Sequence, residues 1–120
     1  MKGTMPIKRA LAALFVVVAA CAPATAVQVQ EGVAAFHRGE IPAAMQRFVE
    51  TEGDQGTLNA EGQVRYLVYR GLAAYRLGQK AEAKSLLAKG KRAYDAGDPR
   101  WLPREIADEM NKALTELGGP

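Results

Sequence analysis

One short pattern occurs twice in this chain, and it constrains the fold more than any other feature. Residues 32–50 read GVAAFHRGEIPAAMQRFVE, and residues 71–89 read GLAAYRLGQKAEAKSLLAK. The copies agree at Gly32/Gly71, Ala34/Ala73, Ala35/Ala74, Gly39/Gly78 and Ala44/Ala83. They are alike at Val33/Leu72, Phe36/Tyr75 and Phe48/Leu87. A repeat of this length in a short chain points to a stacked helical unit. In the first half of each copy, apolar residues recur at helical spacing: Val29, Val33 and Phe36, then Leu67, Gly71, Leu72 and Tyr75. Gly39 and Gly78 stop these helices, because Gly tolerates the left-handed backbone that ends one. The second halves restart at once. Ile41, Ala44, Met45 and Phe48 share one face, as do Ala83, Leu86 and Leu87. Pro42 falls where a first-turn Pro is tolerated. Gly32, Ala35, Gly71 and Ala74 are small enough to let antiparallel helices approach closely. The expected class is therefore all-α, built from two helical hairpins.

The remaining elements follow in order. Helix one is predicted over Val27–Arg38 and helix two over Ile41–Glu50. The stretch from Thr51 to Thr57 is polar and Gly-rich with no apolar period, which predicts a mobile loop. Asn59 is placed to cap helix three, which continues to Leu77. Helix four is predicted from Lys80 to Tyr94, ending near Gly97. Asp98 to Pro103 reads as a rigid connector, with Trp101 as a packing anchor. Pro103 opens a fifth helix whose stripe is Ile106, Met110, Ala113, Leu114 and Leu117. A final amphipathic helix is what the open end of a repeat stack requires.

The repeated pattern resembles the tetratricopeptide repeat. That family places a small residue in its first helix, then an aromatic, a Gly at the turn, an Ala, and a large apolar residue in its second helix. The matching positions are Gly32, Phe36, Gly39, Ala44 and Phe48, then Gly71, Tyr75, Gly78, Ala83 and Leu87. The resemblance covers roughly residues 26–95. Departures are visible. The aromatic falls one residue late in both copies, and Leu67 stands where the family has Trp. Thr51 and Gly90 replace a late Ala, and Asp95 replaces the closing Pro. The copies are offset by 39 residues (71 − 32) against the family's usual 34 or so, so the loop at 51–57 carries an insertion. The resemblance implies two tetratricopeptide-like hairpins plus a C-terminal capping helix. Two units and a cap are few. Either the fifth helix completes the core, or a second copy or another chain does, so a homo-oligomer is one expectation.

The first 20 residues read as a targeting segment and not as part of the fold. Lys2, Lys8 and Arg9 form a positive start, and Ala10–Ala20 is an apolar run too short to span a bilayer. Val18-Ala19-Ala20-Cys21 resembles the bacterial lipobox, in which the leader is cut before Cys and that Cys is lipidated. Cys21 is the only cysteine, so no intrachain disulfide exists. Residues 21–26 then form a tether and residues 27–120 the helical repeat domain. The resemblance implies anchoring to a membrane of the bacterial envelope through lipidated Cys21. Ala22 after the Cys resembles sorting to the periplasmic face of the outer membrane. A competing cut stays open: Ala24-Thr25-Ala26 fits ordinary secretion and would release a soluble chain beginning at Val27.

Charge removes one function class. The formal net charge of +3 comes entirely from the leader; beyond it, 13 basic side chains (16 − 3) meet 13 acidic ones. A chain without net positive charge carries no electrostatic footprint for nucleic acid. The charges are segregated, however. Residues 63–94 carry Arg65, Arg70, Arg76, Lys80, Lys84, Lys89, Lys91 and Arg92 against Glu82. That strip reads either as charge neutralised by neighbouring helices or as a surface for an acidic partner or lipid headgroups.

Catalytic chemistry is sparse. There is one His (His37) and one Ser (Ser85), with no HExxH, CxxC or phosphate-binding Gly loop. The sequence offers no metal or cofactor site, and a non-enzymatic role is expected. In the tetratricopeptide family the first helices of the units line a groove for peptides or helices. On helix three, Arg65, Tyr69, Leu72 and Arg76 form one stripe, and His37 takes a comparable place on helix one. Two Arg flanking a Tyr suit a carboxylate of an envelope protein or peptide. The competing reading leaves these Arg solvated and Tyr69 packed. Two functions stay open: a lipid-anchored periplasmic adaptor for a protein partner, or a soluble secreted module for a small or lipid ligand.

Overall fold

The computed structural model describes residues 24–118. The predicted leader and Cys21 lie outside them. Every regular element among the described residues is helical, in the order α1 Thr25–His37, α2 Ile41–Glu50, α3 Ala60–Arg76, α4 Lys80–Asp95 and α5 Arg104–Glu116. Two 3-10 turns, Glu52–Thr57 and Pro99–Trp101, lie between them. None of these helices is long and apolar enough to cross a membrane.

The two copies close with the same pair of turn bonds. After α1, Gly39 takes φ 79° and its N–H donates to Phe36 O, while Glu40 N–H donates to Ala35 O. After α3, Gly78 takes φ 80°, its N–H donates to Tyr75 O, and Gln79 N–H donates to Ala74 O. This is the Schellman closure, which satisfies carbonyls that the helix end leaves free. The next helix restarts immediately, so each pair folds back on itself as a hairpin.

The close approach inside each hairpin is also repeated. A Cβ added at Gly32 would lie 2.6 Å from Phe48 Cε1, and one at Gly71 would lie 2.7 Å from Leu87 Cδ2. A large residue of the second helix therefore sits where the first helix has no side chain. Phe48 and Leu87 are both fully buried. The copies diverge at Gly90, where a Cβ would meet Val68 Cγ2 at 2.8 Å. Val68 occupies the room that an Ala would need. The corresponding Thr51 of copy one is buried and donates its hydroxyl to Phe48 O at 2.8 Å.

Several expectations need correction. Helix α1 begins at Thr25, because Ala24 O already accepts from Val27 N and Gln28 N, so the described chain leaves only Ala24 to the tether. The inserted loop is not irregular: Asp54 N donates to Thr51 O and Leu58 N to Gln55 O, winding it into a 3-10 turn. Gln63 Nε2 donates to Gln55 O and pins that turn to α3. Three helix ends differ from expectation by one residue: α1 stops at His37, α3 stops at Arg76, and α4 runs on to Asp95. Other expectations hold. Asn59 caps α3 by accepting from Gly62 N at 2.8 Å. Trp101 packs on Gly97, with its turn capped by Asp98, which accepts from Arg100 N at 2.9 Å. The Arg100 side chain and N–H hold the Asp98 carboxyl down at about 2. In α5, Ile106, Met110, Ala113 and Leu114 are buried, so this helix covers the end of the core.

Arg70 ties the inserted turn to the second hairpin. It is buried, donates to the Tyr66 hydroxyl, and faces Glu52 at 3.3 Å and Glu82 at 3.2 Å. Its Nε has no partner among the described residues. Arg70→Met is expected to cost about 1–3 kcal/mol, because it strands the buried Tyr66 hydroxyl. Adding Tyr66→Phe removes the stranded group and should recover most of that loss. Urea midpoints of the single and double variants check this.

Candidate functional site

Helices α1 and α3 run side by side in the same direction. Their N-terminal halves meet around an open depression, and their C-terminal ends meet through His37, Tyr69, Phe36 and Arg76. The depression has a volume of about 510 Å³ and is lined by Ala24–Gln30 except Gln28, by Thr57, Leu58 and Asn59, and by Glu61, Gly62 and Arg65. Its floor is apolar where Val29 is buried, and its rim carries Gln30, Asn59, Glu61 and Arg65. Val27 is 43% exposed beside it. It arises because the 3-10 turn brings the chain to Leu58 and Asn59 directly opposite the first turns of α1.

The five residues expected to hold a partner do not form one open stripe. Leu72 is fully buried and Tyr69 is 2% exposed, so neither presents a surface. Tyr69 packs edge-on against Phe36, with ring centroids 5.2 Å apart, and its hydroxyl lies 2.8 Å from His37 Nε2. Arg76 is engaged by the capping helix. Its Nε and Nη2 donate to the two carboxylate oxygens of Glu109 at 2.9 and 2.7 Å, and its guanidinium lies 4.2 Å from the Phe36 ring centroid. This clamp joins α1, α3 and α5. Arg65 alone of the group borders the depression, with Glu61 at 2.8 Å and the Trp101 carbonyl at 3.4 Å.

Burial pushes the Tyr69 phenol up to about 12; Arg65 opposes the rise, while Glu105 and Glu109 add to it. The fold thus prefers the neutral phenol. The sign follows: this stability is fully present below pH 10 and is lost as pH rises through about 12. Tyr69→Phe is expected to cost about 1 kcal/mol at neutral pH by removing the bond to His37. It should also flatten the alkaline decline by about 2–3 kcal/mol relative to the natural chain. Chemical denaturation across that pH range reads both effects.

The sequence placed Tyr69 and Arg76 on one helix and His37 at a comparable place on another; the fold joins His37 to Tyr69 and lays Arg76 over the adjoining Phe36. Sequence reasoning missed Glu109, which lies on the flank of the α5 stripe, and it missed the depression, whose lining begins in the predicted tether. Among the described residues, no group of three or more His, Cys, Asp or Glu side chains is placed to hold a metal ion. Comparisons with protein-family models, curated proteins and solved structures find no match to this chain.

Proposed function

We propose that this protein is a small lipid-anchored adaptor of the bacterial envelope, whose tetratricopeptide-like hairpins hold a segment of a protein partner. The observation that carries this reading is the depression between α1 and α3. It is open, mixed in polarity, and not filled by any side chain of the described residues. It lies on the first helices of both hairpins, the place that the tetratricopeptide resemblance reserves for a bound peptide. The lipobox-like Val18-Ala19-Ala20-Cys21 supports the anchor, and the nearly neutral processed chain fits a protein partner better than a polyanion. Extended backbone would lie along Val27 and Val29, with Asn59 and Arg65 placed to meet its polar groups.

The test is photocrosslinking in the producing cells from Val27, with Asp108 on the exposed side of α5 as the control position. A partner captured from Val27 and not from Asp108 is expected, and Arg65→Glu should weaken capture about tenfold, the usual loss when a charge-assisted contact is reversed. Equal capture from both positions removes the proposal. Arg76→Glu is a poor probe by itself, because it opposes Glu109. The exchanged pair Arg76→Glu/Glu109→Arg keeps the clamp and should leave capture unchanged.

The second reading, a soluble secreted module for a small or lipid ligand, is favoured by one observation. The volume of the depression falls in the range of small-molecule sites, roughly 300–1,000 Å³. Native mass spectrometry of the purified chain separates the two readings by showing or not showing a retained small ligand.

A further inference from the structure

Among the described residues, Arg104 and Lys112 on α5 and four cations gathered on α4 have no carboxylate within 4.0 Å. Arg38, Arg47, Arg65, Arg70, Arg76, Lys91 and Arg100 each face a carboxylate within 4.0 Å. On α4, by contrast, Lys80, Lys84, Lys89 and Arg92 are exposed and have no carboxylate within that distance among the described residues. The two acidic residues of α4 do not relieve them, because Glu82 turns to Arg70 and Asp95 to Lys91. Among the cations the exposed surface carries the small residues Ala81 and Ser85, and Glu82, which is turned to Arg70. The row from Lys80 to Arg92 is about 18 Å long at the rise of an α-helix.

We infer that this outer face of α4 docks on anionic membrane headgroups. Three features favour a membrane over a discrete ligand. Among the described residues, neither the depression between α1 and α3 nor the one lined by Glu31, Arg38 and Arg47 is lined by this face. Three of its four cations are Lys, flexible point charges suited to a diffuse anionic surface, where Arg would suit a fixed bidentate partner. The position of its Lys89 and Arg92 end also matches the anchor. Leu87 sits at Gly71 and Gly90 at Val68, so antiparallel α4 carries Lys89 and Arg92 toward the N-terminal half of α3, while Lys80 and Lys84 lie toward the other end. The N-terminal half of α3 is at the end where α1 starts. Four residue steps from Cys21 to Thr25 reach at most about 14 Å, so an anchored chain holds this end of the domain at the bilayer. The last point rests on the lipid-anchor reading; the charge pattern does not.

The test uses the full chain as its own cells process it, with Ser85→Cys as a labelling point in the middle of the face. The protein is reconstituted into vesicles of phosphatidylcholine alone or mixed with phosphatidylglycerol. Intact mass reports separately whether Cys21 is acylated; if it is not, co-sedimentation with the same vesicles at low salt reads the same binding. The label is expected to be shielded from an aqueous quencher only with phosphatidylglycerol. That shielding should vanish in high salt, where the screening length shrinks to about 3 Å. Each cation changed to Gln should lower the docked-to-free ratio about fivefold. The four-fold variant Lys80→Glu/Lys84→Glu/Lys89→Glu/Arg92→Glu should abolish shielding while melting like the natural chain. Equal exposure of the label on both vesicles overturns the inference, as does shielding that survives in the four-fold variant. A label shielded only when an acidic protein is added gives the face to that protein and overturns it too.

Discussion

Phe48→Ala is expected to lower the unfolding free energy by about 3–5 kcal/mol, the range for deleting a fully buried aromatic side chain. Phe48 is 0% exposed, fills the space opposite Gly32, and meets Tyr66 edge-on with centroids 6.3 Å apart. Gly32→Ala is expected to destabilise by about 1–3 kcal/mol through overpacking, although Ala is the better helix former. The informative result is the combination. With Phe48 already truncated, the new methyl at position 32 meets no ring, so the double variant should lose less than the sum of the singles by about 1 kcal/mol or more. The same cycle with Gly71→Ala and Leu87→Ala should give coupling of the same sign, because the two hairpins share this contact. Additive losses in both cycles would mean that the small residue and the large one do not depend on each other.

Met110→Asp is the second large effect. Met110 is 0% exposed in the stripe that docks α5 onto α3 and α4. A carboxylate buried there must either lose its charge or force the helix off, so the loss should exceed about 4 kcal/mol. The only tryptophan, Trp101, sits in the turn that leads into α5. Its emission should shift toward the water-exposed position at denaturant concentrations that leave the natural chain intact. Asp108→Ala on the exposed side of α5 should change neither property. If Met110→Asp melted like the natural chain, α5 would not be part of the core.

The architecture was legible where chemistry is local. A Gly that must take positive φ, a side-chain amide that caps a helix and an apolar residue every three or four positions each act through their nearest neighbours, so Gly39, Gly78, Asn59 and the α5 stripe could be read directly. The helix start at Thr25 was less legible, because the turn before Val29 makes few core contacts and is set by backbone bonding to Ala24 O. The turn at Glu52–Thr57 was hidden for a related reason: what orders it is the bond from Gln63 to Gln55 and the ion pair from Arg70 to Glu52, both made with α3. The candidate site shows the same division. Periodicity placed Arg65, Tyr69, Leu72 and Arg76 on α3, but only the position of α5 decides that Arg76 meets Glu109. Likewise, only the direction of α1 decides that Tyr69 is covered by Phe36 and His37. The free cations of α4 were visible as a basic stretch; which of them are already paired was not.

The most direct measurement for the anchored-adaptor account is the intact mass of the protein extracted from the cells that make it, taken together with the fraction it is found in. The account expects a chain that begins at Cys21, carries acyl chains, and is recovered with the membranes. A chain that begins at Val27 and is recovered free of membranes would contradict it.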